Sequence, residues 1–298
     1  MPLERLPIGV IGLGLLGTAV AERFLIENPA VVGFDPDAIR CDHLRRLGGS
    51  TADQISDVCG ACDVIVLSLP NSSVVTSVIQ QLASALRAGM TIIDTTTGDP
   101  DQMVAIGKSL AEQGVGYLEA NVAGSSVQMR EGTATVFLGG DPELIAANEA
   151  VLSIIAPKRV SLGPVGCASK FKLVHNLVLG LHRAVLAEGL YFAESLGFSP
   201  TDTLALLQET PAASAVMATK GKKMVARNYD VQARLSQHLK DVRLMLEMAD
   251  RAVAHIPLCE LHRELLERAE SLGFGDADNS AIIEAYYSDG AGDSDTSH

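Results

Sequence analysis

Lys172 and Asn176 stand four residues apart within an apolar stretch of helical spacing, Phe171–Leu196. Their side chains therefore share one helix face. A lysine with an amide partner can give or take the proton of a hydroxyl group. On spacing alone the pair is equally a solvated lysine and a surface amide, and that is the simpler reading of two residues. Lys170, two positions earlier, points away from Lys172. Near the other end, Gly12-Leu13-Gly14-Leu15-Leu16-Gly17 follows the apolar run Ile8–Ile11 and opens a helical pattern. In that setting Gly12 permits a tight turn, Gly14 lets a pyrophosphate approach the backbone, and Gly17 lets helix and strand pack closely. The helix N-terminus offers N–H groups and positive partial charge to phosphates. Asp35 ends the second apolar run, about 20 residues beyond the glycines, where a carboxylate binds a ribose 2′-hydroxyl. Its charge, with that of Asp37, opposes a 2′-phosphate; Arg40, one helical turn past Asp37, would have to reach around to receive one. A dinucleotide is expected, NAD in preference to NADP.

The elements that must position these groups alternate in the first half of the chain. Strands are expected at Ile8–Ile11, Val31–Phe34, Val64–Leu69, Thr91–Asp94, Tyr117–Glu119, Thr133–Leu138 and Arg159–Leu162. Helical periodicity fills most of the gaps, as in Gly17–Glu27, Ser72–Leu86 and Asp101–Gln113, and Asp141-Pro142 starts another helix well. Near-continuous apolar strands alternating with helices predict a doubly wound, mostly parallel sheet covered on both faces, a Rossmann domain over residues 1–163. From Gly166 onward the pattern is helical only, with helices expected at Phe171–Leu196, Pro200–Gln208, Arg234–His255, Pro257–Ser271 and Asp278–Tyr287. An all-α domain is expected over 164–287, and the Gly-, Ser- and Asp-rich stretch 288–298 is expected to be disordered.

Composition narrows the partners. The 298 residues carry a formal net charge of -13, which disfavours nucleic acid and anionic membranes. No apolar run is long enough to span a bilayer, and the first residues lack signal-peptide architecture. A cytoplasmic protein is the simplest expectation. The five cysteines are an odd number for a disulfide framework. Cys59 and Cys62 form a C-x-x-C without a redox or metal context, and read as small apolar residues. The histidines show no metal-ligand spacing, so no metal is expected.

Several of these segments together resemble the β-hydroxyacid dehydrogenases, the family of 3-hydroxyisobutyrate dehydrogenase. Ile11–Gly17 resembles the family's cofactor motif. Asp63-Val64 with Leu69-Pro70-Asn71 resembles the end of its fourth strand, and Asp94-Thr95-Thr96-Thr97-Gly98-Asp99-Pro100 resembles its D-x-S-T-x-x-P segment. Glu119-Ala120-Asn121-Val122-Ala123-Gly124-Ser125, with Gly132-Thr133 downstream, resembles its substrate motif D-A-P-V-S-G-G…G-T. Gly163-Pro164-Val165-Gly166 and Lys172-Leu173-Val174-His175-Asn176 resemble its catalytic motif. Lys240-Asp241 resembles its K-D-L segment, and the stretch from Gly273 to Ala281 resembles its G-x-D-x-S-A segment.

The resemblance implies Lys172 as general acid/base, with Asn176 positioning it or the substrate. It implies Leu69, Pro70 and Thr97 along the cofactor, Lys240 over the nicotinamide side, and Val122, Ala123, Gly124 and Ser125 around a substrate carboxylate. It also implies a homodimer or homotetramer built through the helical domain. Ala123 replaces the family's Ser, Ser125 its second Gly, His175 its first Asn after the lysine, and Ala168 its preceding Gly. Retained chemistry on an altered small carboxylate-bearing substrate is therefore expected. His175 is read as a packing residue, a substrate contact or an extra titrating group. An imine reductase on the same scaffold and a non-catalytic NAD(H) sensor are the alternatives.

Overall fold

The computed structural model describes residues 7–27 and 30–287. The expected tail, 288–298, lies outside them. The chain divides into two compact units, and the division falls between Lys172 and Leu173. The first turns of the long helix belong with the sheet because Gly166 and Ala168 donate their N–H groups to the Glu119 carboxylate.

The first unit is a sheet of eight strands: β1 Ile8–Ile11, β2 Val31–Phe34, β3 Ser50–Thr51, β4 Val64–Leu67, β5 Thr91–Asp94, β6 Gly116–Ala123, β7 Thr135–Gly139 and β8 Lys158–Ser161. Their order is β3-β2-β1-β4-β5-β6-β7-β8, and only the β6–β7 pair is antiparallel. The order reverses direction at β1, the switch point at which doubly wound sheets bind ligands. Its helices are α1 Leu15–Ile26, α2 Ala38–Arg46, α3 Ile55–Ala61, α4 Ser72–Leu82, α5 Pro100–Ala111, α6 Ser126–Arg130, α7 Pro142–Ala147 and α8 Glu149–Ile155.

Strand alternation sorts side chains into two cores. Val10, Val66, Ile93, Leu118, Ala120 and Val122 pack with Val20 and Phe24 of α1. Ile11, Ile65, Leu67, Ile92 and Tyr117 pack with Val75 of α4 and Met103 of α5. The strands depart from expectation at β3 and β6, and by one or two residues at the ends of β4, β7 and β8. β3 was not expected: it is only two polar residues long and carries no apolar pattern. β6 runs on to Ala123, because the ladder to β7 continues from Glu119↔Gly139 to Ala123↔Thr135 through the polar Asn121.

The second unit holds α10 Pro200–Gln208, α11 Lys222–Ala226, α12 Leu235–Arg251, α13 Pro257–Ala269 and α14 Glu284–Tyr287, together with most of α9 Cys167–Ser195. The expected helix Asp278–Tyr287 is instead a 3₁₀ turn, Asn279–Ile283, followed by α14. Asp278 caps that turn, and its carboxylate also accepts from the N–H groups of Gln232 and Ala233 and from Lys220 Nζ at 2.8 Å. Burial would raise the Asp278 carboxyl, but Lys220 and these donors hold it below its ordinary range. The sequence showed no paired histidines. The fold nevertheless brings His238 of α12 and His262 of α13 together, Nε2 to Nε2 at 3.0 Å, both buried. Burial, aided by the charge of Arg183, pushes His262 down to about 4. Among the described residues no helix is long and apolar enough to cross a membrane.

Candidate active site

In the glycine-rich turn, two of the three glycines are required by the chain itself. Gly12 has φ +93, and a Cβ there would lie 2.3 Å from the Ser68 carbonyl oxygen. A Cβ on Gly17 would lie 1.8 Å from the Gly12 carbonyl oxygen. Gly14 is different: its Cβ would meet only Arg40 Nη1, at 3.9 Å. The space over Gly14 is open, at the start of an α1 that no side chain caps. That is the opening a pyrophosphate needs. Leu13 is buried, Leu15 exposed and Leu16 half-buried.

Asp35 is buried, and its carboxylate is shared. Oδ2 accepts from Leu13 N–H at 2.8 Å and from Arg40 Nη1 at 3.2 Å, and Oδ1 accepts from Asp37 N–H at 2.9 Å. Asp35 therefore ties the glycine turn to the start of α2. Arg40 has no need to reach around, because it already bridges Asp35 and Asp37, with its Nε 3.4 Å from Asp37 Oδ2. Asp35 has room for one more donor, such as a ribose hydroxyl.

Beyond β4 and β5 the backbone is pinned by side chains. Leu69 N–H donates to Thr96 Oγ1 at 3.1 Å, and Asn121 Nδ2 donates to the Thr96 carbonyl at 2.7 Å. Leu69 and Thr97 are half-buried, and Pro70 is exposed beside them in sequence. Asp94 lies under this layer. Its carboxylate accepts from Thr96 N–H and Tyr117 Oη, and burial pushes it up to about 6 against those hydrogen bonds.

Val122 and Ala123 lie inside β6, while Gly124 and Ser125 follow it. Ser125 is engaged by its own helix. Its hydroxyl accepts from Gln128 N–H at 3.3 Å, and its N–H donates to Gln128 Oε1 at 2.9 Å, a capping box for α6. That leaves Gly124 N–H and the Ser125 hydroxyl hydrogen as donors to a carboxylate in this segment.

Lys172 is 8% exposed, and its Nζ donates to the Val122 carbonyl at 2.6 Å. Lys170 is exposed. In the second unit, Asn176 is buried and its Nδ2 donates to Asp241 Oδ2 at 2.8 Å. Lys240 Nζ lies 2.8 Å from Asp241 Oδ1, so Asp241 joins Asn176 to Lys240. His175 is half-buried. The roles of Asp241, Asn121 and Glu119 were not legible, although each falls inside a quoted motif; the bonds that define them join residues 25 to 65 positions apart.

Two family patterns cover almost the whole described chain. Residues 7–163 match the NAD binding domain of 6-phosphogluconate dehydrogenase, and residues 166–286 match the NAD-binding domain of NADP-dependent 3-hydroxyisobutyrate dehydrogenase. Among similar proteins, 2-(hydroxymethyl)glutarate dehydrogenase of Eubacterium barkeri is 28% identical over 288 residues, 95% of each chain. Glyoxylate/succinic semialdehyde reductase 1 of Arabidopsis thaliana is 27% identical, over 93% of this chain and 97% of that one. The cytokine-like nuclear factor N-PAC of Anopheles gambiae is 28% identical over 94% of this chain, which spans about half of that protein's length. The crystal structure of 3-hydroxyisobutyrate dehydrogenase from Salmonella typhimurium shares the fold at a TM-score of 0.87, with 23% identity over 93% of this chain and 99% of that one. The chain belongs to the 3-hydroxyisobutyrate dehydrogenase-like family of NAD(P)-binding oxidoreductases, within the 6-phosphogluconate dehydrogenase superfamily.

Proposed function

We propose that the chain interconverts a small 3-hydroxy acid and its semialdehyde or keto acid, with Lys172 as general acid/base and NAD preferred to NADP. The observation that carries this reading is the buried Lys172 ammonium held on the Val122 carbonyl. The residues present fit a dinucleotide: the open space over Gly14 suits the pyrophosphate, and the one remaining acceptor position of Asp35 suits a ribose hydroxyl. Leu13, Leu15 and Leu16 flank the phosphates on this reading. Leu69, Pro70 and Thr97 line the nicotinamide half on the same reading, and Lys240 is assigned to the cofactor. The bound nicotinamide would supply or receive the hydride.

The chain's own residues manage the proton. During reduction Lys172 gives its proton to the carbonyl oxygen as that oxygen gains charge, and its positive charge stabilises the oxyanion beforehand. During oxidation the neutral amine takes the hydroxyl proton. A backbone carbonyl cannot itself take up a proton in this range, so it aims the ammonium without competing for its chemistry. Asn176 gives one amide hydrogen to Asp241 and keeps Oδ1 and the other hydrogen for substrate. Val122, Ala123, Gly124 and Ser125, with His175, form the acid-binding segment of the proposal. Action in the cytoplasm as a homodimer or homotetramer belongs to the same reading, and sedimentation would establish the assembly.

The test is a screen of short 3-hydroxy acids and their semialdehydes with both cofactors. Glyoxylate and succinic semialdehyde, which name one relative's activity, belong in it. A second reading, an NAD(H)-binding sensor, draws on Ala123 and on the engagement of Ser125 with α6. Such a protein would bind NADH and turn over nothing in the screen. An imine reductase activity would appear as reduction of cyclic imines in preference to aldehyde acids.

A further inference from the structure

Glu119 is a carboxylate with 1% exposure in the middle of β6, and it faces the beginning of α9. Its Oε2 accepts from Gly166 N–H at 2.7 Å and from Ala168 N–H at 3.2 Å, and its Oε1 accepts from the Ser169 hydroxyl. The two N–H groups are among the donors that a helix start leaves without intrahelical partners. A side chain from a distant strand thus does the work of an N-cap. The surroundings are built for it. Gly139, paired with Glu119 across β6–β7, has no Cβ; one there would lie 2.3 Å from Oε2. Gly166 adopts φ +95, a conformation that costs glycine little and that carries the chain into the helix. Burial pushes the Glu119 carboxyl above its ordinary value, and the hydrogen bonds from Ser169, Gly166 and Ala168 oppose that rise.

The same strand makes a second attachment to the same helix. Three residues along β6, the Val122 carbonyl accepts from Lys172 Nζ, which lies one helical turn past Ser169. β6 therefore holds α9 at its first turn and holds the ammonium at the next. The carboxylate fixes the helix start in position and rotation, and so fixes the arc through which Nζ can swing. We propose that Glu119 is a positioning residue for Lys172, acting as a remote cap that sets where the lysine ammonium is presented. This rests on the reading of Lys172 as the acid/base.

The experiment compares Glu119→Ala, Glu119→Gln and Lys172→Ala in the full chain. It uses crystal structures, NADH affinity, and kcat against pH with glyoxylate and succinic semialdehyde as probes. In Glu119→Ala, the 166–172 backbone should shift and Nζ should leave the Val122 carbonyl. The kcat should fall by about 10²-fold, the loss expected of a misplaced group, with a changed pH profile and NADH affinity unaltered. Glu119→Gln keeps an oxygen for the Gly166 and Ala168 N–H groups, and should restore the contact and most of kcat. A folded Glu119→Ala in which Nζ stays on the Val122 carbonyl, with a superimposable pH profile, overturns the proposal. If Glu119→Ala does not fold, Glu119→Met takes its place; it fills a similar space but accepts no hydrogen bond from the helix start, and the same displacement is expected. If Lys172→Ala retains kcat, the functional reading fails, whereas loss of activity in Lys172→Ala beside an unchanged Glu119→Ala sinks only the positioning role. If neither probe is reduced, the position of Nζ in the crystals decides.

Discussion

Replacing Arg40 by glutamine separates two jobs that the residue could perform at the edge of the cofactor site. Its guanidinium lies 3.2 Å from Asp35 Oδ2 and 3.4 Å from Asp37 Oδ2, and its side chain is 43% exposed. At that separation the Coulomb attraction is about 1 kcal/mol in a water-like dielectric. Solvent screening and the entropy of holding the side chain reduce the net worth of such an exposed pair to about 0–1 kcal/mol. Arg40→Gln should therefore leave the fold and the glycine turn intact, because Asp35 keeps its bonds to the Leu13 and Asp37 N–H groups. A 2′-phosphate at this edge would lose a charge-assisted hydrogen bond worth about 1.5–3 kcal/mol, or about 10- to 150-fold in Kd. NADH would lose almost nothing.

The assay is fluorescence titration of native and variant protein with NADH and NADPH at low and moderate salt. The native protein should prefer NADH, since two carboxylates and one guanidinium leave the edge negative. Arg40→Gln should widen that preference through NADPH alone. Equal weakening of both cofactors would mean that Arg40 works by holding Asp35 and does not face the 2′ position. Tighter native binding of NADPH than NADH would refute the assignment of Asp35. Asp35→Ala is the poorer probe. It strands the Leu13 and Asp37 N–H groups at about 1–3 kcal/mol each if they stay buried, and so weakens both cofactors while narrowing their difference.

Four further outcomes follow from the same geometry. Lys172→Ala should lower kcat by roughly 10²–10⁴ at unchanged NADH affinity, while Lys170→Ala, on the exposed side, should change little; similar losses in steady-state assays of both would contradict the helix register. Gly17→Ala should abolish NADH binding in the same titration, because its Cβ would lie 1.8 Å from the Gly12 carbonyl oxygen and neither backbone can yield without opening the turn. Asp94 is held up to about 6 from an ordinary 3.8, so folding disfavours its ionised form; the stability this contributes is complete below about pH 4 and is lost as pH rises through 6. Asp94→Asn can keep its contacts to Thr96 and Tyr117, so in thermal melts its advantage over native protein should grow from pH 4 to pH 7, by on the order of 1–3 kcal/mol. Ala123→Ser adds a hydroxyl beside the proposed carboxylate position and should raise kcat/KM for 3-hydroxyisobutyrate, by at most the roughly 1.5–3 kcal/mol of one bond to a charged group; a decrease would remove the carboxylate from residue 123.

What could be read in the sequence depends on the distance over which each feature is determined. Ile8–Ile11, Val31–Phe34 and Thr91–Asp94 were legible to the residue because each is a short apolar run bounded by turn residues. The glycine turn was equally legible, since strand, glycines and helix are contiguous. β3 was not, because Ser50–Thr51 pairs with β2 through backbone bonds that any residues can make. The end of β6 was missed for a related reason: Asn121 breaks the apolar pattern and is kept in the strand by the ladder to β7 and by its bond to the Thr96 carbonyl.

The candidate site divides along the same line. Residue types announced Lys172, Asn176 and Asp35, but not how each is held. Lys172 on the Val122 carbonyl, Asn176 on Asp241 and Glu119 on the start of α9 all join residues 47 or more positions apart. No local pattern encodes them. The difference matters for reading substitutions. Ala123 and Ser125 look like losses when set against a motif, yet Ser125 gains a use as the cap of α6. Glu119 stands where the motif has Asp and looks a minor exchange, yet it ties the strand that holds the lysine to the helix that carries it. A motif fixes which chemistry is available. The long-range bonds fix whether it is aimed, so a chain can keep the motif and lose the activity through a residue that never touches the substrate.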